Sequence, residues 1–198
     1  MPNHVTNTLT VSGRESDLKE FHKLIESSTE GLIRAFLPFP EELGGEWIVN
    51  MTGARVARMF TADGYRWCLD NWGTKWGDYD LDICSEPWGY PADDQWAATY
   101  RYTTAWSPAS EAILTISTMQ PDILFSVTWE EEGNQSAGCL VCKNGYFAIE
   151  HAADEDRPIW PAGNETYETE QKYYEEWESM IDNLETAAWQ KFHEMSSN

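Results

Sequence analysis

The chain has 198 residues, 41 % of them hydrophobic and 11 of them Trp, which is enough apolar and aromatic material for one ordered domain without disulfides. Asp and Glu number 34 against 13 Lys and Arg, a formal net charge of -21, so the surface repels nucleic-acid phosphates and anionic lipid heads and direct nucleic-acid binding is disfavoured. No apolar run approaches the roughly 20 residues of a membrane span, and the polar opening lacks a signal hydrophobic region; a cytoplasmic protein with reduced Cys68, Cys84, Cys139 and Cys142 is expected.

Residues 4–11 alternate Val5, Leu9 and Val11 with Thr and Asn and close at Ser12-Gly13, which predicts a first strand. Leu18, Phe21, Leu24 and Ile25 then recur at helical spacing over 15–27, with Ser12 as an upstream cap. Residues 32–37 read as a second strand, stopped by Pro38-Phe39-Pro40. An aromatic-rich excursion at about 44–80 follows, in which 49–60 reads as a short helix. Leu81 and Ile83 return as an extended piece, 97–106 as a strand, and Ser107-Pro108 opens a second helix with Ala112, Ile113, Leu114 and Ile116 on its buried side.

Ile123, Phe125, Val127 and Trp129 alternate over 122–129, the plainest strand in the chain. Glu130-Glu131-Glu132-Gly133-Asn134 then reads as an acidic turn, and strands at 138–143 and 146–151 flank Asn144-Gly145, a hairpin dipeptide. This order predicts an α+β fold, a ferredoxin-like sandwich over 1–151 with a mainly antiparallel sheet and two packed helices, extended by the hairpin. Residues 152–198 add a linker and a long C-terminal helix on which Tyr173, Trp177, Ile181, Leu184, Ala188 and Phe192 share one side. Residues 150–198 hold 13 acids against 3 bases, so the charge is concentrated in the tail.

Residues 71–77 form an aromatic knot in which Trp72 and Trp76 are separated by Gly73 and Lys75, behind Trp67. The same residues suit a base- or sugar-stacking platform, but indoles of this kind more often bridge a helix to a sheet with the lysine stem on a ring, so a structural role is expected for Trp67, Trp72, Lys75 and Trp76. The opening Met1-Pro2-Asn3-His4-Val5-Thr6-Asn7-Thr8-Leu9-Thr10-Val11-Ser12-Gly13, the segment Pro38-Phe39-Pro40-Glu41-Glu42-Leu43, the knot, and Thr104-Ala105-Trp106-Ser107-Pro108 with Trp129-Glu130-Glu131-Glu132-Gly133 resemble the YubB-like ferredoxin-like proteins of bacteriophages and conjugative plasmids over residues 1–151. The resemblance implies a ferredoxin-like domain, a mobile-element origin and a bacterial cytosol; it implies no activity and no catalytic residue.

Other constellations are weak. Cys139 and Cys142 have the spacing of half a zinc ribbon, but on a strand residues three apart point to opposite faces. Asp78, Asp80 and Asp82 start like a calcium loop that lacks its later glycine and glutamate, and His151 near Asp154, Glu155 and Asp156 sits in a loop-like charge run. No cofactor or metal is expected.

The tail helix carries the functional expectation. Duplex DNA presents one charge per roughly 1.7 Å of axis, and carboxylates on successive turns of about 5.4 Å lay out a comparable line. Glu130, Glu131, Glu132, Glu175, Glu176, Glu178, Asp182 and Glu185 are therefore the expected partner-binding acids. The expected function is a non-enzymatic acidic protein that inhibits a host defence component of restriction or CRISPR type as a DNA mimic, its partner a basic nucleic-acid-handling host protein. The alternatives are a small carboxylate- and His-dependent enzyme acting on a nucleotide, and an assembly protein forming a homo-oligomer.

Overall fold

The computed structural model describes residues 3–49, 55–90, 94–131, 133, 136–163 and 165–196. In chain order its elements are β1 (His4–Gly13), α1 (Glu15–Ser27), α2 (Leu32–Phe36), β2 (Gly44–Val49), β3 (Arg55–Phe60), α3 (Ala62–Trp72), β4 (Tyr79–Tyr90), β5 (Gln95–Ala105), α4 (Ser110–Met119), β6 (Leu124–Glu131), β7 (Ala137–Lys143), β8 (Tyr146–His151) and α5 (Tyr167–Ser196). Six strands make one antiparallel sheet in the order β4-β5-β1-β6-β7-β8, while β2 and β3 pair separately as a hairpin. The succession β1-α1-β4-β5-α4-β6 is the βαββαβ of a ferredoxin-like sandwich, with β7 and β8 added beside β6.

The period-two pattern decides what each face does. Val5, Leu9 and Val11 of β1 and Phe125, Val127 and Trp129 of β6 turn toward α1 and α4, where Leu18, Phe21, Ile25, Ala112, Ile113 and Ile116 complete the main core. On the opposite face, Cys139, Val141 and Ala148 of β7 and β8 meet Ala188 and Phe192 of α5. The Asn144-Gly145 turn between β7 and β8 has φ of 49° and 79°, the paired left-handed geometry of a tight hairpin, and the Gly145 amide donates to the Ser117 hydroxyl at 3.1 Å.

Residues 32–37 are not a strand. Leu32, Ile33 and Phe36 are buried on one side of the short helix α2, whose first amides need an acceptor that the local sequence does not contain. Asp78 provides it from 46 positions away: its carboxylate accepts from the Leu32 amide at 2.6 Å and the Ile33 amide at 2.8 Å. Gly31, with φ of 104°, precedes α2, and a Cβ there would run into the Asp78 carboxylate. The helix expected over 49–60 is replaced by the last residue of β2 and the whole of β3, with 50–54 outside the described residues.

Ser12, expected to cap α1, and Ser107, expected to cap the second helix ahead of Pro108, do not stand at the cap positions. The residue before α1 is Arg14, with no side-chain cap, and Ala109 precedes α4. Ser107 instead donates to the Gly73 carbonyl at 2.6 Å, and the Thr104 hydroxyl donates to the Ser107 carbonyl at 2.8 Å while accepting from Asn7 Nδ2 at 2.9 Å. The segment 104–108 is thus a junction tying β5, β1 and the end of α3 together.

Asp78→Ala leaves two buried amides without an acceptor and lowers stability by about 3 kcal/mol in urea denaturation, and Gly31→Ala is destabilised as well. Burial pushes the Asp78 carboxyl up against the opposing pull of the Leu32 and Ile33 amides and Arg34. The folded chain therefore holds that proton more tightly than the unfolded one, so the stability advantage of the native chain over Asp78→Asn shrinks as pH rises through the raised value. Burial also pushes the thiols of Cys68 up to about 11 and of Cys139 and Cys142 up to about 12, while Cys84 is exposed. A disulfide-exchange reagent at neutral pH should react with one thiol in the folded chain and with all four after denaturation.

Candidate functional site

The site begins with β7, whose residues from Ala137 through Cys142 are buried without a break. Leu140 and Cys142 belong to the α1/α4 core, and Cys139 and Val141 face the other way, so this strand needs a cover on both faces. The second cover is α5. The Thr169 amide donates to the Thr166 hydroxyl at 3.3 Å and the Thr166 amide donates to Thr169 Oγ1 at 2.9 Å, a reciprocal cap that starts the helix. Trp177, Met180, Ala188 and Phe192 then form its buried stripe, each large side chain contributing about 1.5–3 kcal/mol on burial. Lys191 pairs with Glu150 of β8.

With that stripe inward, most of the acids of α5 are left outward. Glu175, Glu178 and Asp182 are exposed and Glu185 is half-buried. Their spacing of three, four and three residues places them along one ridge about 15 Å long. Glu175 accepts from Gln171 Nε2 at 2.9 Å, and Glu176, on the neighbouring flank, pairs with Lys172 at 3.4 Å. Glu185 Oε1 accepts from the Ser126 hydroxyl at 3.2 Å and from the Trp189 indole N–H at 3.4 Å, which makes it part of the docking of α5 on β6.

The three consecutive glutamates separate. Glu130 and Glu131 are the last residues of β6, paired with Thr6 and Val5 of β1, so they point to opposite faces. Glu130 faces α5 and accepts from the Trp177 indole N–H. Glu131 turns inward with 5 % exposure and accepts from the Gly133 amide at 3.1 Å; it is not part of the solvent-facing acidic surface expected from the sequence. Glu132 lies outside the described residues.

A cleft of about 410 Å³ runs between α5 and the sheet, with Thr6, Thr8 and Thr128 on its sheet side and Glu130, Glu178 and Asp182 around it. The threonines alternate with the core residues of β1 and β6, a pattern visible in the sequence; their place in a cleft depends on where α5 docks. Hydroxyls and carboxylates together make a surface of hydrogen-bond acceptors suited to cationic groups.

The aromatic knot lies on the other side of the sheet. Trp67 and Trp72 meet edge to face at 5.1 Å near the end of α3, and the buried Trp72 donates its indole N–H to the Leu37 carbonyl at 3.1 Å. Arg34 lies over the Trp72 ring at 5.2 Å, and Lys75 over Trp76 at 4.7 Å. Gly73 ends α3 in the left-handed conformation with φ of 72°, and the buried Thr74 donates to the Ala105 carbonyl at 2.8 Å. Asp78 points into the core while Asp80 and Asp82 are exposed, so the three do not converge. His151 packs against Trp129 at 5.3 Å, and Asp154 pairs with Arg157. Among the described residues no group of three or more His, Cys, Asp or Glu is arranged to hold a metal ion.

Among the described residues no helix is long and apolar enough to cross a membrane. No curated protein and no solved structure matches the chain. A family model described as a ferredoxin-like domain in Api92-like protein matches residues 87–187, just over half of the chain. The matched stretch runs from the end of β4 through β8 and into α5, beyond the residue 151 at which the resemblance read from the sequence stops. The chain therefore belongs to the family of Api92-like proteins that carry this ferredoxin-like domain.

Proposed function

We propose that this chain is a non-enzymatic acidic binding protein, encoded by a phage or plasmid and acting in the host cytosol, that occupies the basic nucleic-acid-binding surface of a host defence component as a DNA mimic. The observation that carries the reading is the ridge Glu175, Glu178 and Asp182, solvent-facing on a helix whose apolar stripe is already used against β7 and β8. A helix fixed in this way presents its carboxylates without first having to order them, which lowers the entropic cost of association. The net charge of -21 supplies long-range attraction toward a basic surface.

Capture of one basic nucleic-acid-handling protein from a bacterial lysate at low salt, and its loss at high salt, is the expected result. Replacing Glu175, Glu178 and Asp182 together by Gln, Gln and Asn should weaken that complex by about tenfold. Capture that is indifferent to salt and to the triple variant contradicts mimicry.

A second reading, self-assembly, draws support from the edge strand β8. Its register with β7 is unbroken and Tyr146 and Phe147 are exposed at its start, whereas the opposite edge β4 is interrupted by three register shifts. Sedimentation across a wide concentration range should reveal a dimer under this reading; a monomer throughout removes it.

A further inference from the structure

The start of α5 and the segment before it expose more apolar and aromatic surface than folding accounts for. Ile159 is 89 % exposed, Tyr167 80 %, Tyr174 57 % and Trp160 39 %. Trp160 and Tyr174 are not isolated. Trp160 meets Tyr173 edge to face at 5.1 Å and Tyr174 at 6.2 Å, Tyr173 and Tyr174 meet at 5.4 Å, and Tyr173 stacks on Trp177 at 6.2 Å with 23° between the planes. Trp177 is buried and its indole N–H is held by Glu130, so one end of the ladder is fixed to the sheet.

Carboxylates interleave with these rings. Tyr167, Glu170, Tyr174 and Glu178 follow one another at spacings of three, four and four residues, which places aromatic and acid alternately along one stripe of the helix. The nearby cations are engaged elsewhere: Lys172 pairs with Glu176 and Arg157 with Asp154. The charge of the stripe calls for a cationic partner, and its rings select among cations. A guanidinium is planar and weakly hydrated, so it can lie on a tyrosine or tryptophan face while donating to the adjacent carboxylate; an ammonium satisfies the carboxylate and gains less from the ring.

We propose that the ladder Trp160–Tyr173–Tyr174, with Tyr167, Glu170 and Glu178, is a seat for arginine side chains of a basic polypeptide. The proposal rests on the reading of the acidic face given above and adds to it the identity of the anchoring residue on the partner. It gives the surface a ridge that attracts and a ladder that discriminates, joined at Glu178, as interfaces do when aromatic residues and arginine form the centre and charges the rim.

The test uses the full chain and two synthetic peptides of equal length and net charge, one carrying arginine and the other lysine at the same positions, with binding read from tryptophan fluorescence at several salt concentrations. The native chain should bind the arginine peptide about fivefold more tightly. Trp160→Ala and Tyr174→Ala should each bring the arginine peptide down toward the lysine peptide, and Tyr174→Phe, which keeps the ring, should retain the preference. The exposure of Tyr174 makes its variants safe for folding. Equal but salt-sensitive binding of both peptides overturns the arginine seat and leaves the acidic reading standing. A preference that persists unchanged at high salt supports the seat and contradicts mimicry. A preference surviving both alanine variants, or binding of neither peptide, overturns the proposal.

Discussion

Everything on the far face of this molecule depends on β7 being apolar on both sides. From Ala137 to Cys142 the strand carries no charge, and it sits between β6 and β8 rather than at an edge. A ferredoxin-like sheet with two helices covers one face only, so adding such a strand creates a second face that water cannot be left to solvate. Gly138 marks how closely this region is packed, since a Cβ there would meet the Trp129 ring. The long C-terminal helix is the answer to that constraint, and its orientation is set by which of its residues are apolar. Once Trp177, Met180, Ala188 and Phe192 are committed to the sheet, Glu175, Glu178 and Asp182 are left exposed, the last two beside the cleft.

The tryptophan-rich motif serves the other side of the sheet. Its residues act in sequence: Trp72 fills the core, Gly73 ends α3, Thr74 binds β5, Gly77 passes beside Arg34, and Asp78 caps α2. The unusual spelling of this stretch is therefore explained by the path of the chain, each residue meeting a different geometric demand. Trp106, with φ of 72°, belongs to the same junction, its amide donating to the Asn3 carbonyl at 3.0 Å. The tryptophan-rich junction and the acidic surface are physically separate in this protein, one on each face of the sheet.

The parts legible in the sequence are those set by local periodicity. The alternation of Phe125, Val127 and Trp129 marked β6, Asn144-Gly145 marked the hairpin, and the stripe from Tyr173 to Phe192 marked α5. The ferredoxin-like class was reached with residues 32–37 counted as a strand, a place that β4 takes in the structure. The α2 helix was not legible because its cap is Asp78, remote in sequence, and a five-residue helix has too few turns to display a period. Of 49–60 the described residues are strand rather than helix, missed for the related reason that so short a segment displays no decisive period. Glu131 was misplaced by ending β6 too early: extending the alternation by two residues from Trp129 places it in the interior. The cleft and the aromatic ladder need the docking of α5 and so lie beyond any local pattern.

The acidic surface is only as well defined as the helix that displays it. Amide hydrogen exchange on the full chain tests this most directly, because it reports separately on β7 and on each turn of α5. If α5 is the second cover of β7, the amides between Trp177 and Phe192 should exchange as slowly as those of β7 and through the same cooperative opening. Rapid exchange along those turns while β7 stays protected would mean that the helix is not docked, and the ridge, the cleft and the ladder would lose their common foundation.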